Sequence, residues 1–261
     1  DVVVCAGAGD NAAAAVGCGA VGGGKCNISL GTSGTVFITS DTFGVDKQNA
    51  LHSFAHADGG YHLMGCILSA ASCNRWWSEE VLHTTDYAAE QTPITADKLG
   101  ANDVYFLPYL MGERSPHNDP ASRGAFVGLR MDTPRAALTQ AVLEGVGFAL
   151  ADGMDVVHAC GVQPASITLI GGGARSEYWR QMLSDISGLQ LDYRTGGDVG
   201  PALGAARLAQ VAMNPQTSLS ELLPQLTLEQ AHYPDAERHA RYQQRRETFR
   251  RIYQQLQPLM S

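Results

Sequence analysis

Asn27-Ile28-Ser29-Leu30-Gly31-Thr32-Ser33-Gly34-Thr35-Val36-Phe37-Ile38 is the stretch of sequence on which the fold of this chain depends. Two short runs of strand-forming residues flank five residues that are all glycine or hydroxyl-bearing, which predicts two strands joined by a tight turn. Glycine lets successive backbone N–H groups converge on one point, and the Thr and Ser hydroxyls add donors there. The turn at residues 31–35 therefore indicates an anion site, for a phosphate above all, although an ordinary hairpin has the same pattern.

The length and composition restrict the partners that the chain can have. Its 261 residues are 44% hydrophobic and 17% charged, enough for a sizeable buried core, and the formal net charge is −8. A negatively charged protein is a poor partner for nucleic acid, because binding the phosphate backbone needs a basic face. No apolar run reaches the roughly 20 residues that span a bilayer. We therefore expect neither a nucleic acid nor a membrane as partner.

The cysteines and the first residue bear on compartment and completeness. Six cysteines without a C-x-x-C pair or zinc-ligand spacing indicate reduced thiols and a cytoplasmic protein without a metal site of that kind. Because residue 1 is Asp rather than Met, we expect the chain to be a fragment of a longer protein.

The order of the predicted elements is typical of an α/β or α+β protein. Strand hairpins come first, and helices then alternate with strands. The strands are expected at residues 1–6, on both sides of the turn 31–35, and at 51–57, 61–66, 104–107, 166–170 and 189–193. The helices are expected at residues 10–20 and 68–82, from 133 and from 176, and at 200–213 and 235–256. The polar, threonine-rich stretch 83–103 is expected to be an insertion or a surface loop.

Gly7-Ala8-Gly9-Asp10-Asn11-Ala12 presents a rival interpretation, because a predicted strand leads into this G-x-G-x-x-A pattern and a helix follows. Asp10 in the first helical turn would repel a pyrophosphate placed there. The next strand also ends without an acid to hold a ribose. Asp10 is better explained as a base beside a phosphate loop, although alone it would be assigned as a helix N-cap.

Three further glycine-rich runs differ in their context. Residues 17–22 and 19–25 have the spacing of a dinucleotide motif and of a P-loop, but a helix precedes both, so we reject them. Gly171-Gly172-Gly173-Ala174-Arg175-Ser176 follows a predicted strand and opens a predicted helix. Glycines in that position let a flat ligand or a ribose lie directly on the backbone at a helix N-terminus.

Taken together, the runs 7–11, 31–35 and 171–176 resemble the FGGY family of carbohydrate kinases. Gly124-Ala125-Phe126-Val127-Gly128-Leu129, with the downstream residues 138–144, resembles the second signature of that family. In this signature Ala137 stands where a polar residue is usual. The loop 108–116 and the run 179–186 are most similar to the family members that phosphorylate xylulose. The resemblance extends over nearly the whole chain, but over only the C-terminal half of such a kinase.

The resemblance implies an α/β fold, namely one actin-like, ribonuclease-H-like ATPase lobe with a mixed sheet flanked by helices. In the family, ATP lies in the cleft between two such lobes. Residues 1–24 would be the tail of a missing N-terminal sugar-binding lobe and the linking segment. Residues 25–261 would be the C-terminal nucleotide-binding lobe. Because half of the cleft is absent, we expect this chain alone to be inactive.

The resemblance also implies a mechanism. Asp10 would be the general base that takes a proton from a primary hydroxyl of a pentulose, giving D-xylulose 5-phosphate from D-xylulose. Asn11 would hold Asp10 or the sugar. ATP would bring Mg²⁺, whose ligands would lie mostly in the missing lobe. The residues expected to bind the ATP phosphates are Gly31, Thr32, Ser33, Gly34 and Thr35, and those expected to bind the adenosine are Gly172, Gly173 and Ser176.

Alternatives stay open at this point. The chain could be a dinucleotide-binding enzyme, or a non-catalytic actin-like module that binds ATP. Glu113 and Arg114 lie in a loop that either reaches the cleft or leaves them paired with each other or with solvent. Trp76 and Trp77 are expected in the core. The arginine-rich C-terminal helix is expected to be a solvated face or a subunit contact, as in a homodimer.

Overall fold

The computed structural model describes residues 2–46, 50–164, 166–196 and 200–260. Within these ranges, nine strands form one sheet of seven and a separate pair. They are β1 (Lys25–Leu30), β2 (Gly34–Ser40), β3 (His52–Ala55), β4 (Tyr61–Ile67), β5 (Tyr105–Leu107), β6 (Ala125–Val127), β7 (Ser166–Ile170), β8 (Leu191–Arg194) and β9 (Leu228–His232). The order in the large sheet is β3-β4-β2-β1-β7-β8-β9, and β5 pairs with β6.

The helices lie in the chain between these strands and at both ends. They are α1 (Asp10–Gly17), α2 (Ala71–Arg75), α3 (Tyr87–Gln91), α4 (Arg135–Ala159), α5 (Glu177–Ser187), α6 (Gly200–Met213), α7 (Leu219–Leu222) and α8 (Ala236–Leu256). A π-helical stretch, Trp76–Val81, continues α2, and short 3-10 turns occupy Ala96–Lys98, Gly172–Arg175 and Gln257–Leu259. None of the helices in the described ranges is both long and apolar enough to cross a membrane.

Helices cover both faces of the large sheet. Side chains alternate between the two faces along a strand, so Val36 and Ile38 join the main core around α4, while Phe37 packs with Ala14 and Ala15 of α1. The 25-residue α4 is buried over most of its length. This arrangement confirms the predicted α/β fold with a mixed sheet flanked by helices.

Strand directions create one edge at which several strands end together. β1 runs parallel to β7, and β7 runs parallel to β8. β2 is antiparallel to both β1 and β4, so β4 runs in the same direction as β1. The carboxyl ends of β1, β4 and β7 therefore meet at one edge of the sheet, which we call the carboxyl edge.

Several predicted elements need correction. The strand expected at residues 1–6 is wrong, because residues 2–9 have no regular structure. Val2 and Val4 are 92% and 91% exposed, since no described strand pairs with them. The stretch 83–103 contains α3 and a 3-10 turn rather than only a loop, and the edge strand β9 was not predicted.

Two arginines of α8 are not on the solvated face expected from the sequence, while Arg251 is exposed as expected. Arg245 and Arg246 are buried. Arg245 pairs with Glu144 at 2.8 Å, and Arg246 pairs with Asp152 at 2.8 Å. The helix is basic because it lies against the acidic residues of α4, and further ion pairs join Arg246 and Arg250 to Asp155, Arg250 to Asp152, and Arg238 to Asp185 of α5.

Candidate active site

The turn between β1 and β2, which the sequence predicts, lies at the carboxyl edge. It is held there by the chain that follows β4. The amide N–H groups of Ala70 and Ala71 donate to the carbonyls of Thr32 and Gly31, each at 2.9 Å. The Ser72 hydroxyl donates to the Thr32 carbonyl at 2.7 Å. With its carbonyls bound to the protein, the turn leaves the exposed Thr32 side chain facing outward.

Glycine at position 34 is required by close packing. A Cβ added there would lie 2.7 Å from Cγ1 of Ile67 and 3.0 Å from the Cβ of Ala70. The end of β4 therefore presses directly on the turn, and the two segments form one rigid unit.

The glycines after β7 lie beside this turn. Gly171 has a φ of +90°, and a Cβ there would lie 2.8 Å from the Leu30 carbonyl carbon. A Cβ on Gly173 would lie 3.0 Å from the Cβ of Leu30 and from the Trp179 ring. Around Gly172 there is open space. The run 171–173 thus packs against the end of β1 and the start of the turn at Gly171 and Gly173. Gly172, between them, is left uncovered.

Both glycine runs line one cavity of about 1010 Å³. Its walls include Gly31 and Thr32 on one side and Gly172 and Gly173 on the other. Ligand pockets in proteins have volumes of roughly 300–1,000 Å³, so the cavity is large enough for a nucleotide. Gly31, Gly172 and Gly173 carry no side chain, so a flat ligand can approach the backbone closely at these positions.

Sequence reasoning missed one wall of this cavity. Residues 85–88 with Gln91, Thr92 and Ile94 line it, although the stretch 83–103 was assigned to an insertion or surface loop. The missed signal is Asp86, whose carboxylate accepts from the Ala89 N–H at 3.0 Å and caps α3. Arg75 and Tyr178 also line the cavity and were not predicted.

Ser176 lies at the cavity but its hydroxyl is already engaged. It donates to Oε1 of Gln91 at 2.6 Å and accepts from the Trp179 N–H at 3.1 Å, as the N-cap of α5. Gln91 belongs to the cavity wall formed by α3. The serine therefore joins two walls of the cavity.

Asp10 is the first residue of α1, and the N-cap is Gly9, so the N-cap interpretation of Asp10 is wrong. Oδ1 of Asp10 accepts from the backbone N–H of Asn11 at 2.8 Å and from its Nδ2 at 3.2 Å. Oδ1 of Asn11 in turn accepts from the buried Thr35 hydroxyl at 3.4 Å. An exposed carboxylate is thereby tied to the first residues of β2. The dinucleotide motif lacks its strand, because residues 2–9 are irregular.

The predicted site residues fall into two groups. Gly31, Thr32, Gly172, Gly173 and Ser176 share the cavity. Asp10, Asn11, Ser33, Gly34 and Thr35 are absent from its lining, and Asn11 and Thr35 are joined to each other. The turn 31–35 connects the two groups. Trp77 is buried and Trp76 packs against the core, which confirms their predicted structural role.

Glu113 and Arg114 do not pair with each other through their side chains, contrary to one of the two expectations for them. Glu113 is 2% exposed, and burial raises the pKa of its carboxyl to about 8. Its Oε1 accepts from the backbone N–H of Leu68 at 3.1 Å and of Arg114 at 2.6 Å. Leu68 follows β4 directly, so this loop reaches the carboxyl edge.

The residues present do not by themselves form a metal site. Within the described ranges there is no group of three or more His, Cys, Asp or Glu side chains that could hold a metal ion. Each of the six cysteines is free, and Cys18, Cys26, Cys66 and Cys73 are buried. The donors in these ranges therefore offer a metal no more than isolated oxygens.

Residues 26–213 match the family model described as "FGGY family of carbohydrate kinases, C-terminal domain". The chain is 61% identical over its whole length to a xylulose kinase of Escherichia coli and 56% identical over 99% of its length to one of Klebsiella pneumoniae. It covers 54% and 53% of those two proteins.

A solved structure from Brucella ovis, titled as a xyloylose kinase, superposes on 97% of the chain with a TM-score of 0.90 and 36% identity. The chain covers 52% of it, so it spans about half the length of the relatives that it matches. The fold is the actin-like ATPase fold of the FGGY sugar kinases. The chain belongs to the FGGY family of carbohydrate kinases.

Proposed function

We propose that this chain is the nucleotide-binding part of an ATP-dependent kinase that converts D-xylulose to D-xylulose 5-phosphate. The observation that carries the proposal is the single cavity between the two glycine runs, with Asp10 tied to the other end of the first run. The similarity to xylulose kinases supports the choice of sugar. Residues 1–24 would link to a sugar-binding lobe, and residues 25–261 would form the nucleotide-binding lobe.

In this mechanism the adenosine lies in the cavity against Gly172 and Gly173. The β- and γ-phosphates lie at the turn 31–35, where backbone and hydroxyl donors bind them. The sugar binds beyond the γ-phosphate, at Asp10. In this placement the residues that line the cavity bind the adenosine end of ATP. The residues outside the cavity lie at the γ-phosphate end.

The carboxylate of Asp10 takes the proton of the C5 hydroxyl as the sugar oxygen attacks the γ-phosphorus. A new O–P bond forms, the bond between the γ-phosphorus and the β–γ bridging oxygen breaks, and ADP leaves with that electron pair. Asn11 orients the base through its two hydrogen bonds to Oδ1. Positioning and charge neutralisation supply most of the catalysis in such transfers.

Magnesium would enter with the nucleotide. Mg²⁺ in such sites keeps several waters and binds one or two carboxylates plus the substrate phosphates. Since the described residues form no cluster of ligands, we propose that its protein ligands come from the remainder of the full-length protein. We further propose a cytoplasmic location, consistent with the free cysteines. A homodimer stays a prediction that sedimentation of the full-length protein would test.

The test is a coupled assay of ADP release by the full-length protein across a panel of pentuloses, hexuloses and polyols. We expect turnover to be highest with D-xylulose. Titration with ATP and with NAD separates the kinase from the dinucleotide alternative, and ATP binding without any sugar turnover would identify a non-catalytic module. These 261 residues alone should release no ADP in response to xylulose, and measurable release would contradict the requirement for a second lobe.

A further inference from the structure

The loop that carries Arg114 is fixed to the carboxyl edge on both sides of that residue. Before it, the carboxyl of Glu113 accepts from the Leu68 N–H just after β4. After it, the Ser115 N–H donates to the Cys66 carbonyl at 2.8 Å, and its hydroxyl accepts from the Cys66 N–H at 3.0 Å. The Ser115 hydroxyl also donates to the Ala50 carbonyl. Arg114 therefore projects from a backbone that is held to the last residues of β4.

The position of Arg114 relative to Asp10 follows from the strand register. Cys66, which binds Ser115, is the direct partner of Thr35 on the neighbouring strand, and neighbouring strands lie about 5 Å apart. The Thr35 hydroxyl contacts Asn11, which in turn holds Asp10. Arg114 is thus close to the base, at the end of the phosphate turn that faces away from the nucleotide cavity.

The side chain of Arg114 forms none of the ion pairs that stabilise the described part of the fold. It is exposed, and it forms no ion pair with Glu113 or with any other carboxylate in the ranges that the structure describes. Its charge acts on its neighbours: the pKa of the Cys66 thiol is raised mainly by burial, with Arg114 opposing the rise and Glu113 and Asp10 adding to it. The guanidinium and the Asp10 carboxylate therefore both lie within electrostatic range of one buried thiol.

The surroundings of Arg114 favour an anionic ligand. The adjacent carboxyl, Glu113, is buried and forms no side-chain ion pair with Arg114, and among the described residues its Oε2 has no hydrogen-bond partner. Its raised pKa keeps it mostly protonated near neutral pH, so it does not neutralise the arginine. His52, on the other side, has a pKa lowered by burial and by Arg114. Asp10 is the other carboxyl near Arg114, and the two form no ion pair in the part of the chain that the structure describes. A guanidinium that is exposed to solvent near the phosphate turn and has no ion pair is a ready partner for a phosphate.

We infer that Arg114 is a catalytic residue that binds the phosphoryl group on the sugar side of the transfer. Its guanidinium contacts the phosphoryl oxygens as the group leaves ADP, and it stays in contact with the phosphate of the sugar phosphate product. This inference rests on the proposed function. Guanidinium groups suit this role because they donate two parallel hydrogen bonds and keep their charge at all physiological pH values.

The experiment uses the full-length protein with Arg114→Ala, Arg114→Lys and the control Arg251→Ala, which removes an exposed arginine of α8 far along the chain from the site. Calorimetry measures binding of xylulose and of xylulose 5-phosphate, and steady-state kinetics give kcat and both KM values. For Arg114→Ala we expect product binding to weaken about tenfold or more, because charge-assisted bidentate bonds are strong. The affinity for xylulose and the KM for ATP should stay within about twofold of the wild type. Xylulose has no phosphoryl group, and in ATP the group to be transferred would lie at the turn 31–35, before it reaches Arg114.

The same variant should lower kcat by about 100-fold, the size of effect seen when one electrostatic donor is removed from a transition state. Arg114→Lys should fall between alanine and wild type, and Arg251→Ala should match the wild type. Equal loss of xylulose and xylulose 5-phosphate binding would overturn the inference in favour of a sugar or lobe contact. Unchanged product binding and kcat would also overturn it. A wild-type protein without xylulose kinase activity would instead refute the proposed function.

Discussion

Asp10 presents an exposed carboxylate that, among the residues described by the structure, is held through hydrogen bonds by Asn11 alone. The substitution Asp10→Asn keeps the size of the side chain but removes the proton acceptor. We expect kcat of the full-length kinase to fall by about 100-fold to 10,000-fold, the contribution of a general base. KM for ATP should change little, because Asp10 does not line the nucleotide cavity. A near-normal rate for Asp10→Asn would remove Asp10 from the mechanism.

Glu113 is predicted to make stability depend on pH. Burial raises the pKa of its carboxyl to about 8 in the folded protein, above the unfolded value of about 4.3. Between these values the folded state keeps a proton that the unfolded state releases, so the free energy of unfolding falls as pH rises. This loss of unfolding free energy is absent below the pKa of the unfolded state and complete above the pKa of the folded state.

The substitution Glu113→Gln removes this titration while its amide oxygen can still accept from the Leu68 N–H. We expect the difference in unfolding free energy between the variant and the wild type to shift in favour of the variant from pH 5 to pH 8. Urea unfolding of the full-length protein at several pH values measures it. A parallel pH dependence of the two proteins would show that Glu113 does not carry this effect.

At the scale of elements, α1 depends on its crossing with α6. Gly17 and Gly204 lie at this crossing: a Cβ on Gly204 would overlap the Ala13 carbonyl oxygen, and one on Gly17 would overlap the Gly200 carbonyl oxygen. The obstacles are backbone atoms, which cannot rotate away. The two helices therefore pack in direct backbone contact, and this contact positions Asp10 at the start of α1.

We expect Gly204→Ala to destabilise the protein by about 1–3 kcal/mol or more, as overpacking does. It should lower kcat beyond the loss of folded protein, since α1 must shift. Gln210→Ala, an exposed change on the same helix, serves as the control. The measurements are thermal unfolding and kcat per folded molecule. An unchanged kcat would show that the crossing of α1 and α6 does not set the position of the base.

The elements that the sequence predicts best are those with local signals. The hairpin of β1 and β2 has alternating apolar residues and a glycine–hydroxyl turn, and the glycines at 171–173 mark the end of β7. Residues 1–6 were predicted as a strand because valines favour strands, but a strand also needs a partner. The short α3 was missed because its polar sequence has little amphipathic pattern beyond the cap at Asp86.

For the molecule as a whole, the long α4 and α8 are joined by ion pairs that connect distant parts of the chain. Glu144 is fully buried, and its carboxylate lies 2.8 Å from Arg245. Burial raises the pKa of Glu144, and Arg245 opposes the rise. No pattern in the sequence reveals such a pair, because its members are about 100 residues apart. This is why the arginines of α8 were assigned to a solvated face, and why the burial of Glu113 was not foreseen.

We expect Arg245→Ala to cost about 3–5 kcal/mol near neutral pH, because it leaves a buried carboxylate without its cation. The cost should shrink as pH falls towards 5, since Glu144 then takes up a proton in the folded state. Adding Glu144→Gln should restore part of the stability. Arg251→Ala should change the unfolding free energy by no more than about 0.5 kcal/mol. A pH-independent loss in Arg245→Ala would assign its cost to packing against Tyr105 instead.

The backbone contact between α1 and α6 also limits how the assembled enzyme can move. Asp10 cannot slide against the lobe that holds Gly31 and Gly172 without separating two interlocked helices. Opening to admit ATP and closing to begin transfer would therefore have to bend the chain ahead of Asp10, within the irregular residues 2–9. Asp10 would then move together with the nucleotide. Closure would bring the sugar hydroxyl to a proton acceptor that is already in position.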